Sequence, residues 1–414
     1  MTSATEETDL RTGHTLWEAS SGLGLDYAPL EGSVVTDIAI VGAGITGAFM
    51  AHALSASTEA FKREWGHPPS ITVLDRRRPL RGSTLASTAL LQWEIDLPLV
   101  HLAKKIGHAN ASRAYRRCFQ ALSDLSHLIK SENIRCAFEE RSTLYLAGDQ
   151  YGARALAKEA EERARLDLPS TFLNARELAE QFGIKRTGAI FSLKSASANP
   201  GQLAAGLMRR ALANGITLYS PVEVVDVLAD PSGVSLKMDN GHVVRAKKVV
   251  FCTGYELPEM VSIPKADILS TWAIASDKSA TMPAWMKDTM VWEASDPYLY
   301  FRATPDGRIV LGGEDADDPL AHTQKSLLRT KAKTLQNKLK SLIPEIEFQT
   351  EYKWAGAFGN STTGLPFIAP ARSIDNVWAI AGLGGNGITY SVIASQIVKA
   401  SFCGKTDPDA DLYL

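Results

Sequence analysis

The chain has 414 residues, 45% of them hydrophobic, with a formal net charge of −2. That length supplies a large core and more than one domain, and the near-neutral balance with scattered Lys and Arg excludes nucleic acid as the main partner. Four cysteines, Cys118, Cys136, Cys252 and Cys403, show no metal-ligand spacing, so free thiols and no metal are expected.

Residues 1–33 read as a polar arm, and Met1 to Asp9 carries no apolar signal segment. No stretch is long enough to span a membrane, so a cytoplasmic protein is expected. An apolar strand with Ile38, Ile40 and Val41 then runs into Gly42-Ala43-Gly44-Ile45-Thr46-Gly47, and a helix with Phe49, Met50 and Leu54 follows. This is the turn that cradles a dinucleotide pyrophosphate. Gly42 permits the tight turn, Gly44 the close approach of the phosphates and Gly47 the close packing of helix on strand. A second strand, Ile71–Leu74, ends at Asp75, a carboxylate placed for ribose hydroxyls. Asp75 lies 28 residues past Gly47, where about 20 is usual, and the excess is assigned to an insertion from Phe61 to Ser70. Arg76 flanks the same site.

Leu99 to Lys130 is helix-rich, Ala137 to Leu146 reads as a strand pair, and Gly152 to Leu166 as an exposed helix. Asn174 to Glu177 forms a capping box for a helix that stops at Gly183. Pro200 to Asn214 is helical. Ile216–Tyr219, Val222–Leu228 and Val243–Phe251 are strands, the last ending at Cys252-Thr253-Gly254, where backbone approaches a nucleotide. Antiparallel strands follow at Ile268–Ala275, Val291–Ala303 and Arg308–Gly312. Lys325–Leu342 is an amphipathic helix, and Glu347–Ala357 and Val377–Ala381 are strands before a last helix, Ile388–Phe402. A second glycine cluster, Gly382-Leu383-Gly384-Gly385-Asn386-Gly387-Ile388-Thr389, leaves too little chain for another βαβ unit. It reads instead as a helix N-terminus aimed at one anionic group.

Taken in order, the Gly42/Gly44/Gly47 turn with Asp75, the segment Arg81-Gly82-Ser83-Thr84-Leu85-Ala86-Ser87-Thr88-Ala89, the Thr253-Gly254 turn and the Gly382–Thr389 loop resemble the FAD-dependent oxidoreductases of the D-amino-acid oxidase, glycine oxidase and sarcosine oxidase superfamily. The resemblance covers roughly residues 34–402. It implies an α/β plus α+β fold: a Rossmann-like FAD-binding domain (34–98, 184–262 and 355–414) and a discontinuous antiparallel-sheet substrate domain (99–183 and 263–354). It further implies that Arg81 to Ala89 and Leu91 run along the pyrophosphate and flavin, and that Val224 touches adenine. The C-terminal helix start would then face the flavin ring. The implied reaction is hydride transfer from a carbon beside an amine nitrogen to flavin N5, followed by imine hydrolysis and reoxidation by O₂ to H₂O₂. Reoxidation by a quinone or carrier, or a flavin monooxygenase activity, are the alternatives.

Two departures from that pattern matter. No Cys stands near Asp306-Gly307-Arg308 and no His at Leu85-Ala86-Ser87, so the FAD is expected to be non-covalent. Where amino-acid-oxidising members often place a carboxylate-binding Arg, the matching stretch Gly356-Ala357-Phe358-Gly359 has Phe358. Tyr298, Tyr300 and Arg302 share one face of a strand and are the candidate pocket residues, with Arg302 placed to take an anionic group. Trp93, beside Gln92 and Glu94, and Trp272 complete the candidates.

Overall fold

A computed structural model describes residues 10–256, 266–372 and 374–414. Met1 to Asp9 and the expected domain boundary at 262/263 lie outside the described residues. The strand Val34–Val41 has Ile38, Ala39 and Ile40 fully buried, with core on both faces. A strand of this kind belongs in the middle of a parallel sheet. The sheet is ordered Val377–Ala381, Val243–Phe251, Val34–Val41, Ile71–Leu74, Thr217–Tyr219, and every neighbouring pair is parallel. Phe367–Pro370 adds an antiparallel edge. On one face pack the helices Ile45–Ser55, Pro200–Ala213 and Gly387–Phe402; on the other, the antiparallel ribbon Val224–Asp230 and Gly233–Met238 supplies Val227, Val234 and Leu236.

The second sheet is longer and strongly crossed-over. Its order is Arg11–His14, Thr350–Ser361, Ala266–Ser276, Ile309–Ala316, Leu299–Ala303, Thr289–Glu293, Glu139–Leu146, Gly188–Ser197, Leu90–Leu91, with Ser170–Asn174 also on Gly188–Ser197. The amphipathic helix Lys325–Leu342 lies on it through Leu328, Ala332, Leu335, Leu339 and Leu342, a helical-period stripe. Each fully buried Leu of that stripe contributes about 1.5–3 kcal/mol.

Several expectations are corrected. The sheet is mixed, because Thr289–Glu293 runs parallel to Glu139–Leu146. Val291–Ala303 is two antiparallel strands separated at Ala294–Tyr298, where Pro297 has no N–H for a ladder. Ala137–Leu146 holds one strand, Glu139–Leu146, and its antiparallel partner is Gly188–Ser197. That strand falls in the 184–262 stretch assigned to the nucleotide domain, yet it pairs in the second sheet; the edge at 355 likewise cuts through Thr350–Ser361. The polar arm is built into the fold in part, since Arg11–His14 pairs with Lys353–Gly356 and Trp17 is buried. The stretch from Phe61 to Ser70 is partly the helix Thr58–Trp65, docked by buried Phe61.

Candidate active site

The strand ends of the parallel sheet and central strands of the second sheet line a cavity of about 290 Å³. At its nucleotide end, Gly42 has φ +109° and a Cβ there would stand 2.5 Å from the Cys252 carbonyl oxygen. A Cβ on Gly47 would stand 1.8 Å from the Gly42 carbonyl oxygen, so only glycine lets the helix start this close to its strand. The helix Ile45–Ser55 has no side-chain cap, and the Ile45 N–H donates to Thr84 Oγ1 at 2.9 Å. A helix beginning this way leaves N–H groups and partial positive charge for an anion. The second glycine cluster begins the helix Gly387–Phe402 on the same cavity, and Thr46 and Ser391 hydroxyls join the two helices at 2.8 Å.

Asp75 sits in the same wall. Its carboxylate accepts the Ala43 N–H at 2.6 Å and the Arg77 N–H at 2.8 Å. Burial pushes its pKa up to about 6 against those two bonds and the Arg77 charge. Arg76 and Arg77 both pair with Glu256, and Arg76 also with Glu223 at 3.2 Å.

The middle of the wall is held from behind. Three successive carbonyl oxygens accept from three buried donors: Ala86 from Trp354 Nε1 at 2.8 Å, Ser87 from Trp17 Nε1 at 2.7 Å, and Thr88 from Arg302 Nε at 2.8 Å. Arg302 also donates to Ala198 O at 2.9 Å and lies over the Trp17 ring. Ala89 then turns with φ +52°. Beyond it the chain is extended, so residues alternate: Leu90 and Gln92 line the cavity, whereas Leu91 and Trp93 point into the core. Asn386 Nδ2 donates to the carbonyls of Gln92 (3.2 Å) and Glu94 (2.7 Å), and Thr389 Oγ1 to that of Gln92 (2.9 Å), stitching the C-terminal loop to this strand.

Most of the sequence candidates come together on this cavity. Its wall takes in Gly42, Gly44, Ile45, Thr46, Asp75, Arg76, Gly82, Ser83, Thr84, Thr88, Ala89, Val224, Cys252, Thr253, Gly254 and all of Gly382 to Thr389, together with Trp272, Tyr298 and Tyr300. Six candidates stand elsewhere. Arg302 is 1% exposed and turned onto backbone carbonyls, not onto the cavity; burial pushes its pKa down to about 9. Trp93 donates to Leu193 O and packs on Tyr115 and Phe119. Ala43 and Gly47 support the turn from behind, Leu91 is core, and Arg81 pairs with Glu18. Glu94, also expected near the flavin, is buried among Thr143, Ser195 and Arg163.

Sequence reasoning missed Asp96, Trp292 and Thr271 in the wall and Asp315 just behind it. Gly385 signalled the first of these places, and Gly312 makes room for Tyr300. A Cβ on Gly385 would meet the Asp96 carboxylate at 2.7 Å, and one on Gly312 would meet the Tyr300 hydroxyl at 2.4 Å. Ser83 Oγ, Thr253 Oγ1 and Gln92 Nε2 are buried in the wall without a hydrogen-bond partner. Such groups cost about 1–3 kcal/mol each unless a ligand pairs with them, which fits a large polar cofactor lying along the cavity. Among the described residues no cluster suits a metal ion.

The clamp on residues 86–88 gives a direct test. Replacing Arg302 by Met leaves the Thr88 and Ala198 carbonyls unpaired and is expected to cost about 2–4 kcal/mol, read as a lower thermal midpoint. A variant as stable as the parent would show that these bonds do not hold the wall.

Three comparisons bear on the fold and the cavity. Glycine oxidase from Geobacillus kaustophilus superposes with a TM-score of 0.73 at 20% identity, covering 91% of this chain and 96% of that one. L-proline dehydrogenase from P.horikoshii superposes with a TM-score of 0.75 at 16% identity, covering 92% and 97%. In sequence, the chain is 20% identical over 408 residues to the putative Rieske 2Fe-2S iron-sulfur protein YhfW of Bacillus subtilis (strain 168), spanning 96% of this chain and 74% of that protein. These likenesses show the fold. The FAD dependent oxidoreductase family (DAO) matches residues 37–400, which hold every residue that lines the cavity except Leu10, and the chain belongs to that family.

Proposed function

We propose that the chain binds FAD non-covalently and oxidises a C–N bond of an amine or amino-acid-like small molecule, with O₂ as electron acceptor. The observation that carries this reading is one continuous cavity from the glycine turn to the aromatic residues of the second sheet. Gly42 to Thr46 with Ser83 and Thr84 would hold the pyrophosphate, Asp75 the ribose and Val224 the adenine. Gln92 and the Gly382–Thr389 loop would face the ring system, with the helix N-terminus at Gly387 favouring negative charge there. Bound FAD supplies the hydride acceptor. Trp272, Tyr298 and Tyr300 wall the far end and exclude water from the reacting carbon. Burial raises both tyrosine hydroxyls well above their usual range, so they act as neutral hydrogen-bonding groups. Non-covalent attachment is supported by the lining: no His among the described residues lines the cavity, and Cys252, its cysteine, packs at the nucleotide end against Gly42.

An anaerobic screen of amines, N-methyl amino acids and amino acids tests the reading through bleaching of the flavin's visible absorbance. At least one is expected to bleach it, and admitting air should then return the colour with hydrogen peroxide. Acid precipitation should leave the yellow cofactor in the supernatant. Bleaching by NADPH with none by any amine would replace the proposal with a reductase or monooxygenase.

The Asp75 carboxyl makes a separate prediction. In the apoprotein it holds its proton up to about pH 6, and only the ionised form offers both oxygens as acceptors to a ribose. FAD affinity is therefore expected to rise with pH through 6, being about tenfold weaker at pH 5 than on the plateau. Asp75→Asn should flatten that profile; an unchanged slope in the variant would assign it to another group.

A further inference from the structure

We propose that the substrate end of the cavity recognises an organic ammonium ion, so that the substrate is a positively charged amine without a carboxylate, held by Asp96 among aromatic rings. This rests on the amine-oxidising reading above and narrows its substrate class.

Asp96 lines the cavity and is open to it. One carboxylate oxygen accepts the Gly385 N–H at 2.8 Å, and the other makes no hydrogen bond among the described residues. Its charge acts on Tyr298, Tyr300 and Asp315 across the end of the site. Asp315 stands just behind, held by the side chains of Thr271 and Tyr298. Both carboxyls are raised by burial, so both gain from a positive partner.

The rings point the same way. Trp272, Trp292, Tyr298, Tyr300 and Phe358 line this end, and Tyr298 and Tyr300 stand 5.5 Å apart, inclined by 32°. Aromatic faces carry negative potential and attract ammonium groups. Hydrogen-bond donors stand here, with Trp272 Nε1 and Trp292 Nε1 buried and unpartnered, but no cation offers a carboxylate a charge partner. No Lys, Arg or His among the described residues lines the aromatic end; Arg76 and Arg77 are at the nucleotide end on Glu223 and Glu256. Arg302 is committed to Thr88 and Ala198 carbonyls. A substrate carboxylate would meet Asp96 and Asp315 without a compensating cation, a desolvated like-charge contact.

The test uses the flavin-loaded protein and two ligands of similar size that it cannot oxidise at nitrogen, benzyltrimethylammonium and benzoate, titrated while the flavin spectrum is recorded. The ammonium should perturb the spectrum saturably and benzoate should not. Asp96→Asn, which keeps an acceptor for Gly385, should weaken the ammonium by roughly 30-fold or more, as expected for loss of a direct charge partner. Phe358→Arg, which leaves Asp96 intact, should gain benzoate binding. Benzoate binding to the parent, binding of neither ligand, or unchanged ammonium affinity in Asp96→Asn overturns the proposal. Bleaching by amino acids with no ammonium binding would sink this inference alone. Ammonium binding with no bleaching by any amine would sink the oxidation reading and leave the recognition standing.

Discussion

The rest of the site depends on the three hydrogen bonds that pull the carbonyls of Ala86, Ser87 and Thr88 away from the cavity. The donors come from three separate places: Trp17 in the N-terminal arm, and Trp354 and Arg302 on different strands of the second sheet. The acceptors belong to the segment that follows the nucleotide half. With its carbonyls turned outward, this short stretch presents its other side to the cavity and joins the two sheets into one wall. Burying the Arg302 guanidinium against neutral carbonyls is unfavourable for its charge, as its lowered pKa shows. Geometric reach explains the choice of residue, because a planar fork spans the Thr88 and Ala198 oxygens together.

From that wall the two glycine clusters acquire a common purpose. The Gly42–Gly47 turn and the Gly382–Thr389 loop begin helices on the same face of the parallel sheet, and Thr46 and Ser391 touch. Two helix N-termini thus converge on one cavity from strands separated by most of the chain. The Asp75 carboxyl closes the nucleotide end, and the Asp96 carboxyl, fixed by Gly385, stands near the other.

The sequence was most readable where one residue type answers to one local constraint. Gly42, Gly47 and the apolar parallel strands were of this kind, as were Asp75 and the Asn174 capping box. It was least readable where tertiary pairing decides. Gly188–Ser197 shows no clean alternation, since its two faces are both partly covered, and its partner lies more than forty residues away. Side-chain direction on Leu90 to Glu94 turns on the parity of a two-residue bridge, which made Trp93 a candidate and left Gln92 behind it. Arg302 shares a strand face with Tyr300 in sequence, but carbonyls within reach draw it into the core. Asp96 carries no motif at all; its nearest sign was the otherwise unexplained second glycine of the Gly384-Gly385 pair.

The central claim is that a single cavity, walled by residues 82–92, links the glycine turn to the second sheet. Hydrogen exchange of the apoprotein with and without FAD tests it most directly. The structure predicts that protection appears together at 42–47, 83–92 and 382–389. Protection confined to 42–47 and 75–77, with 83–92 exchanging as before, would contradict it.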